Sequence, residues 1–178
     1  MLAQNSAATL DRALASVHAF DEVVVVDGGS VDATASIAAA YPNVVWRTHP
    51  FRGFAEQRNF ALRQASHPWC LVLDSDETAT AELVEGIASR QWEDAPTSLY
   101  YVMRTDWFMG RELDRGYARS ISHARFFRKA RVEYRGHVHE SPFVDGRKPY
   151  RDAEWAGTLP ADWRILHRPD NDLEDELA

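Results

Sequence analysis

Asp74 and Asp76 stand one residue apart in the run Leu71-Val72-Leu73-Asp74-Ser75-Asp76-Glu77, directly behind an apolar stretch. Carboxylates spaced this way at a strand end can aim oxygens at one hard cation, Mg²⁺ or Mn²⁺, and such a cation can hold a diphosphate. The spacing alone is weak evidence, because loop aspartates also form turns and cap helices. A second acidic turn strengthens it. Asp27-Gly28-Gly29-Ser30 follows a run of valines, and its glycines let the backbone come close to a ligand. A metal-dependent phosphohydrolase built on Asp74 and Asp76 is one chemistry that these residues allow.

These groups need elements to hold them. Leu10, Ala13, Leu14 and Val17 fall on one face of a helix over 7–19. Residues 22–26 read as a strand buried on both faces, followed by a helix over 31–40 and a short strand over 44–47. A helix over 54–65, a strand over 69–73 and a helix over 80–91 continue the alternation. Such alternation implies a parallel sheet with right-handed crossovers and helices on both faces, and ligands in these sheets bind beyond the C-terminal strand ends. Asp27 and the Asp74–Asp76 pair both fall at such ends, so periodicity alone puts them on one rim. From Ser98 onward the pattern changes to short aromatic-rich strands over 99–103, 124–128 and 132–134, an α+β or mostly β half.

The 178 residues allow one domain of ordinary size, 1–168, with a first half over 1–97, a second half over 98–168 and an acidic tail over 169–178. A hydrophobic content of 45% with 26% charged residues is that of a globular protein with a sizeable core. No apolar run approaches the roughly 20 residues of a membrane span, and the first residues lack the regions of a signal peptide. The single cysteine, Cys70, lies in an apolar run where a buried, inert thiol is expected, which fits a reducing, cytoplasmic compartment. The net charge of -7 argues against nucleic acid as a partner. Residues 101–151 are nevertheless a basic island interleaved with Trp107, Phe108, Tyr117, Phe126 and Phe127. That pattern suits an acceptor carrying phosphates at a membrane surface, and equally a solvated arginine face.

The stretch Val24-Val25-Val26-Asp27-Gly28-Gly29-Ser30-Val31-Asp32-Ala33-Thr34 resembles the VVDxGSxDxT signature of family 2 glycosyltransferases with the GT-A fold. Gly53 to Leu62 resembles that family's G-x-x-x-x-[KR]-N-x-A-L helix, and Leu71 to Glu77 its D-x-D strand. Phe108-Met109-Gly110, Arg125-Phe126-Phe127-Arg128 and Gly136-His137-Val138-His139-Glu140 resemble the subgroup that includes bacterial lipopolysaccharide core β-1,4-glucosyltransferases. The resemblance covers about residues 3–145 and implies an α/β, GT-A-like, Rossmann-like sandwich with a mainly parallel sheet and helices on both faces, its half over 1–97 nucleotide-binding and its half over 98–168 on the acceptor side.

It also implies roles. Asp27 would bind the uracil or ribose of a UDP-sugar, with Asn5, Gly29 and Arg58 nearby; an exposed surface arginine is the plain alternative for Arg58. Asp74 would face the ribose and Asp76 would ligate Mg²⁺ or Mn²⁺, with Asp74 beside it as the other carboxylate and His139 as a further candidate ligand. Family 2 enzymes are typically inverting, which requires a carboxylate on the acceptor side; Glu140 is the choice, with Asp106 and Asp114 as competitors and a structural salt bridge as the plain alternative. The expected activity is transfer of a hexose, glucose first, to a cell-envelope saccharide or glycolipid acceptor, at the cytoplasmic face of the inner membrane. The alternative is a non-catalytic module that binds nucleotide or glycan. One departure stands out: the family opens on a full first strand leading to an Asn-Glu pair, whereas here only Leu2-Ala3-Gln4 precedes Asn5, and Ser6 takes the place of the acid. A shortened central strand would leave two neighbouring strand edges open.

Overall fold

The computed structural model of the protein describes residues 1–90, 92–93, 96–108, 111–112, 121–136, 139–151 and 153–168. Asp114, Met109-Gly110, His137-Val138 and the acidic tail lie outside the described residues. The first half runs β1 (Leu2–Ala3), α1 (Leu10–Ser16), β2 (Val23–Asp27), α2 (Thr34–Ala38), β3 (Val44–Thr48), α3 (Phe54–Gln64), β4 (Trp69–Leu71), β5 (Glu77–Ala79) and α4 (Ala81–Ala88). Strands make up the second half: β6 (Leu99–Phe108), β7 (Arg111–Glu112), β8 (Ile121–Arg128), β9 (Val132–Arg135), β10 (Ser141–Val144), β11 (Ala156–Thr158) and β12 (Arg164–His167).

The apolar periodicity is used as expected: Leu10, Ala13 and Leu14 of α1 are buried, and β2 buries valines on both faces. Helix α2 is shorter than its pattern because Asp32 accepts from the backbone N–H of both Thr34 and Ala7, holding the preceding residues in a turn. Thr80 caps α4 by accepting from Leu83 N–H. Gly86 lets that helix lie against Trp163, whose ring would be 2.3 Å from a Cβ at this position. Strand β5, absent from the sequence reading, runs antiparallel to β12.

The strands form two principal sheets. Strands β1-β2-β3 make a parallel sheet, with Leu2 opposite Val26 and Val25 opposite Trp46. A seven-stranded mixed sheet runs β4-β8-β6-β12-β5, with β11 and β7 also on β6. The parallel pairing expected of the sheet is continuous over β1–β3 and returns in the second sheet, where β12 and β11 each run parallel to β6 while β4–β8, β6–β8 and β5–β12 are antiparallel. The β4–β8 and β5–β12 pairings tie the two halves of the chain together, and β9 and β10 form a separate antiparallel pair.

Between the two sheets, β2 and β4 do not meet. Among the described residues, β1 pairs only with β2 and β4 only with β8. The space between them is a slot of about 420 Å³ lined by apolar side chains including Val23, Val24, Leu62, Leu71 and Phe126. The Met1 ammonium lies in it and donates to Val24 O at 2.7 Å. Burial, helped by the Arg58 charge, lowers its pKa from 8.0 to about 6. The Cys70 thiol, also on this slot, is pushed up to about 11 by burial and is inert, as its apolar setting predicted.

Candidate active site

The rim begins where β2 ends. Asp27 is 4% exposed and accepts from Gly29 N–H at 3.0 Å, from Ser30 N–H at 3.1 Å and from the Ser30 hydroxyl. Gly29 has φ of 109°, a conformation that glycine adopts without strain. Asn5, itself at φ 50°, accepts from Val31 N–H through Oδ1 and donates its own N–H to Ser30 Oγ, so the end of β1 is stitched to this turn. Ser6 reaches the other acidic cluster: its Oγ lies 3.0 Å from Ser75 Oγ. The structure thus brings Asn5, Asp27, Gly29 and the Asp74–Asp76 segment to one rim.

Beyond the rim, acids and bases alternate in a continuous chain. Glu140 Oε1 accepts from Arg58 Nε at 2.8 Å, and Arg58 Nη2 donates to Asp74 Oδ1 at 2.8 Å. Arg125 Nη2 donates to Asp74 Oδ2 at 3.2 Å and to Glu77 Oε1 at 3.0 Å. Arg104 Nε lies 3.0 Å from the same Glu77 oxygen, an ionic contact without a hydrogen bond's alignment, and Arg104 Nη2 lies 2.9 Å from Asp106 Oδ1. His167 completes the chain, with Nδ1 at 2.9 Å from Asp106 Oδ1 and Nε2 at 3.2 Å from Asp76 Oδ2. The candidate base and the candidate metal ligand are the two ends of this network.

Electrostatics follow from the packing. Burial works to raise Asp74, but Arg125 and Arg58 outweigh it and hold the carboxyl well below the usual range. Glu77, 1% exposed, is shifted upward because burial dominates and Asp74 adds to it. His167 is shifted upward, led by its hydrogen bond to Asp76.

Several placements correct or extend the sequence reading. Arg58 is not a surface arginine: it is 8% exposed and joins Glu140 to Asp74. Asp74 has both oxygens engaged by arginines, and Glu140 makes the ion pair that was its plain alternative. Glu77, Arg125 and His167 carry the network but had no assigned role: Glu77 and Arg125 lie in segments whose resemblance names no partner for them, and the partners are distant in sequence. His167 meets Asp76 across 91 residues of sequence, and only the parallel pairing of β12 with β6 brings it beside Asp106.

No three His, Cys, Asp or Glu side chains converge on one point among the described residues, and His139, exposed at φ 58°, joins no such group. Asp76 and His167 do offer an oxygen and a nitrogen side by side; a cation there would take the place of the Nε2 proton shared with Asp76, while Asp106 keeps the other proton on Nδ1. Two protein ligands are the usual complement for a cation whose other positions are filled by phosphates and water. The residues present fit the ion on that basis.

The fold is that of GT-A glycosyltransferases. S. aureus TarS 1-349, solved in complex with UDP-GlcNAc, superposes with a TM-score of 0.67 at 20% identity, covering 97% of this chain and 59% of that one. The mannosyltransferase PcManGT of Pyrobaculum calidifontis, solved with GDP-Man and Mn²⁺, gives 0.62 at 18% identity, covering 96% and 56%. Residues 1–150 match the sequence profile of glycosyl transferase family 2, and the chain belongs to that family. Among its relatives is the lipopolysaccharide core biosynthesis glycosyltransferase LpsC of Rhizobium meliloti (strain 1021), 39% identical over 85 residues, which are 46% of this chain and 32% of that protein. The succinoglycan biosynthesis protein ExoO of the same organism is 38% identical over 95 residues, 49% of this chain and 27% of that protein. The matches thus span about a third of the length of these curated relatives. No helix among the described residues is long and apolar enough to cross a membrane.

Proposed function

We propose that the chain is the donor-binding and catalytic part of an inverting glycosyltransferase that moves a hexose, glucose first, from a UDP-sugar to a saccharide or glycolipid of the cell envelope such as lipopolysaccharide core. The observation that carries this reading is the rim itself, where Asp27, Asp74 and Asp76 lie at neighbouring strand ends and the Asp76 end is linked through paired charges to Glu140. The relationship to LpsC supports the envelope acceptor. Work at the cytoplasmic face of the inner membrane, with peripheral contact, follows from such an acceptor.

In this reading Asp27 and Asn5 receive the base and ribose, and Asp74, held ionised by Arg58 and Arg125, is a fixed acceptor for ribose hydroxyls. Asp76 and His167 would hold Mg²⁺ or Mn²⁺, which offsets the charge on the departing diphosphate. Glu140 takes the proton from the acceptor hydroxyl as that oxygen attacks the anomeric carbon, and Arg58 orients it. A non-catalytic, nucleotide-binding module is favoured by one observation, the open slot beside β2. Incubating the chain with a panel of nucleotide sugars and Mn²⁺ separates the two. Turnover of UDP-glucose above other donors is the expected result, and binding without release of UDP from any donor would establish the module instead.

A further inference from the structure

A polar cavity of about 280 Å³ opens beside Glu140, between β8 and the β9–β10 pair. It is at the small end of ligand cavities, with room for one sugar ring and a substituent. Tyr101, Tyr134, Ser122 and Ser141 are among the residues of its wall.

Its charge is uneven. Arg58 has Nε and Nη2 engaged by Glu140 and Asp74, while the third nitrogen, Nη1, is buried with no partner among the described residues. His123 Nε2 is likewise buried and unpartnered, and burial with the nearby Arg125 and Arg104 charges brings its pKa down to about 4, so the neutral ring sits in a positive potential. Several cations of the basic island are engaged within the fold. Arg104, Arg125, Arg131 and Arg135 pair with carboxylates, Arg128 lies over Trp69, and Lys129 donates to Ala65 O. Lys148 lines the cavity and has no carboxylate partner among the described residues. Glu140 is the one acid in the wall and is already paired with Arg58, so Lys148 and Arg125 leave the cavity with an excess of positive charge.

We propose that this cavity seats the acceptor saccharide and selects one bearing an anionic substituent, a carboxylate or a phosphate ester, held by Lys148 with His123 and Arg58 while a ring hydroxyl faces Glu140. The inference rests on the transfer reading for the role of Glu140, but the preference for a charged sugar is measurable without transfer. Repulsion from Glu140 orients the ligand, because a second anion beside it is disfavoured while a hydroxyl there is welcome.

The test is calorimetric titration of the full chain with glucose, glucuronate and glucose 6-phosphate, each with and without UDP and Mn²⁺. At least one charged sugar should bind tenfold or more tightly than glucose, a difference of about 1.4 kcal/mol. The tighter of the two identifies carboxylate or phosphate as the recognised group. Lys148→Glu should abolish the preference and Lys148→Gln should weaken it, with melting curves confirming that both variants are folded. Equal affinity for all three sugars, or a preference that survives Lys148→Glu, overturns the proposal. If UDP fails to bind while the charged-sugar preference holds and depends on Lys148, the transfer reading falls and the anionic-sugar site stands.

Discussion

Strands β2 and β4 are completed at one end and left open along the other. At their C-terminal ends, carboxylates and arginines pair in an unbroken chain from Glu140 to Asp76, and Ser6 meets Ser75 across the gap. Further back, the same strands face a slot of about 420 Å³ with unpaired edges on both sides. The difference lies in β1: Leu2 and Ala3 pair with Val26 and Asp27, the last residues of β2, and Gly28 N–H donates to Ala3 O. Two residues suffice to hold the rim because binding geometry depends only on the ends of the strands. Sheet continuity depends on their whole length, and there no described strand bridges β2 and β4.

The largest contrast should come from Glu140→Gln. The variant keeps an oxygen for Arg58 but cannot take a proton, so kcat should fall by about 10² to 10⁴ with UDP affinity little changed. A purely structural ion pair predicts the reverse, a lower melting temperature with rate per folded molecule intact. If Asp106→Asn loses kcat while Glu140→Gln keeps it, Asp106 is the base.

Arg125→Met tests whether the rim is held by its charges. Its guanidinium serves Asp74 and Glu77 together, and removing one partner from a buried ionic cluster costs about 3–5 kcal/mol through the charges left behind. Chemical denaturation should register a loss of that size. A loss below about 1 kcal/mol would mean that the network relaxes or takes up water, and the rim would be less fixed than the comparison requires.

How far the sequence could be read follows the same division. The helices and strands up to α4, β5 excepted, were legible from periodicity, and Asp27, Asp74 and Asp76 from their positions after apolar runs, because these signals are local. Arg58 was visible as a residue but not as a buried link, since a helix with weak amphipathicity does not declare which face is covered. Glu77, Arg125 and His167 could not be found by spacing, because the pairing of β12 between β5 and β6 brings them together from distant segments. The short first strand was legible, and the structure leaves the space beside it unfilled.

Filling the slot is the converse experiment. Four or five apolar residues joined ahead of Met1 should pair with both open edges and raise stability by several kcal/mol, at about 25 cal/mol per Å² of apolar surface buried. They would also remove the buried ammonium. In the parent, that amine titrates near 8.0 when unfolded and about 6 when folded, so between these values the unfolded chain binds more protons and stability rises with pH. The gain across that window is on the order of 2 kcal/mol. Melting temperatures measured from pH 6 to 8 should climb in the parent and flatten in the extended chain. An extended chain that melts no higher and keeps the slope would show that the slot is closed in solution by another arrangement.

The most direct measurement of the rim as a nucleotide site is the affinity for UDP with Mn²⁺ present and after its removal by chelation, for the parent and for Asp76→Asn. In the proposed site Asp76 and His167 are the cation's two protein ligands among the described residues, so losing one carboxylate charge should weaken the Mn²⁺-dependent complex tenfold or more, about 1.4 kcal/mol, and chelation should weaken the parent at least as much. UDP affinity that is the same with and without Mn²⁺, and the same in Asp76→Asn, would contradict the account.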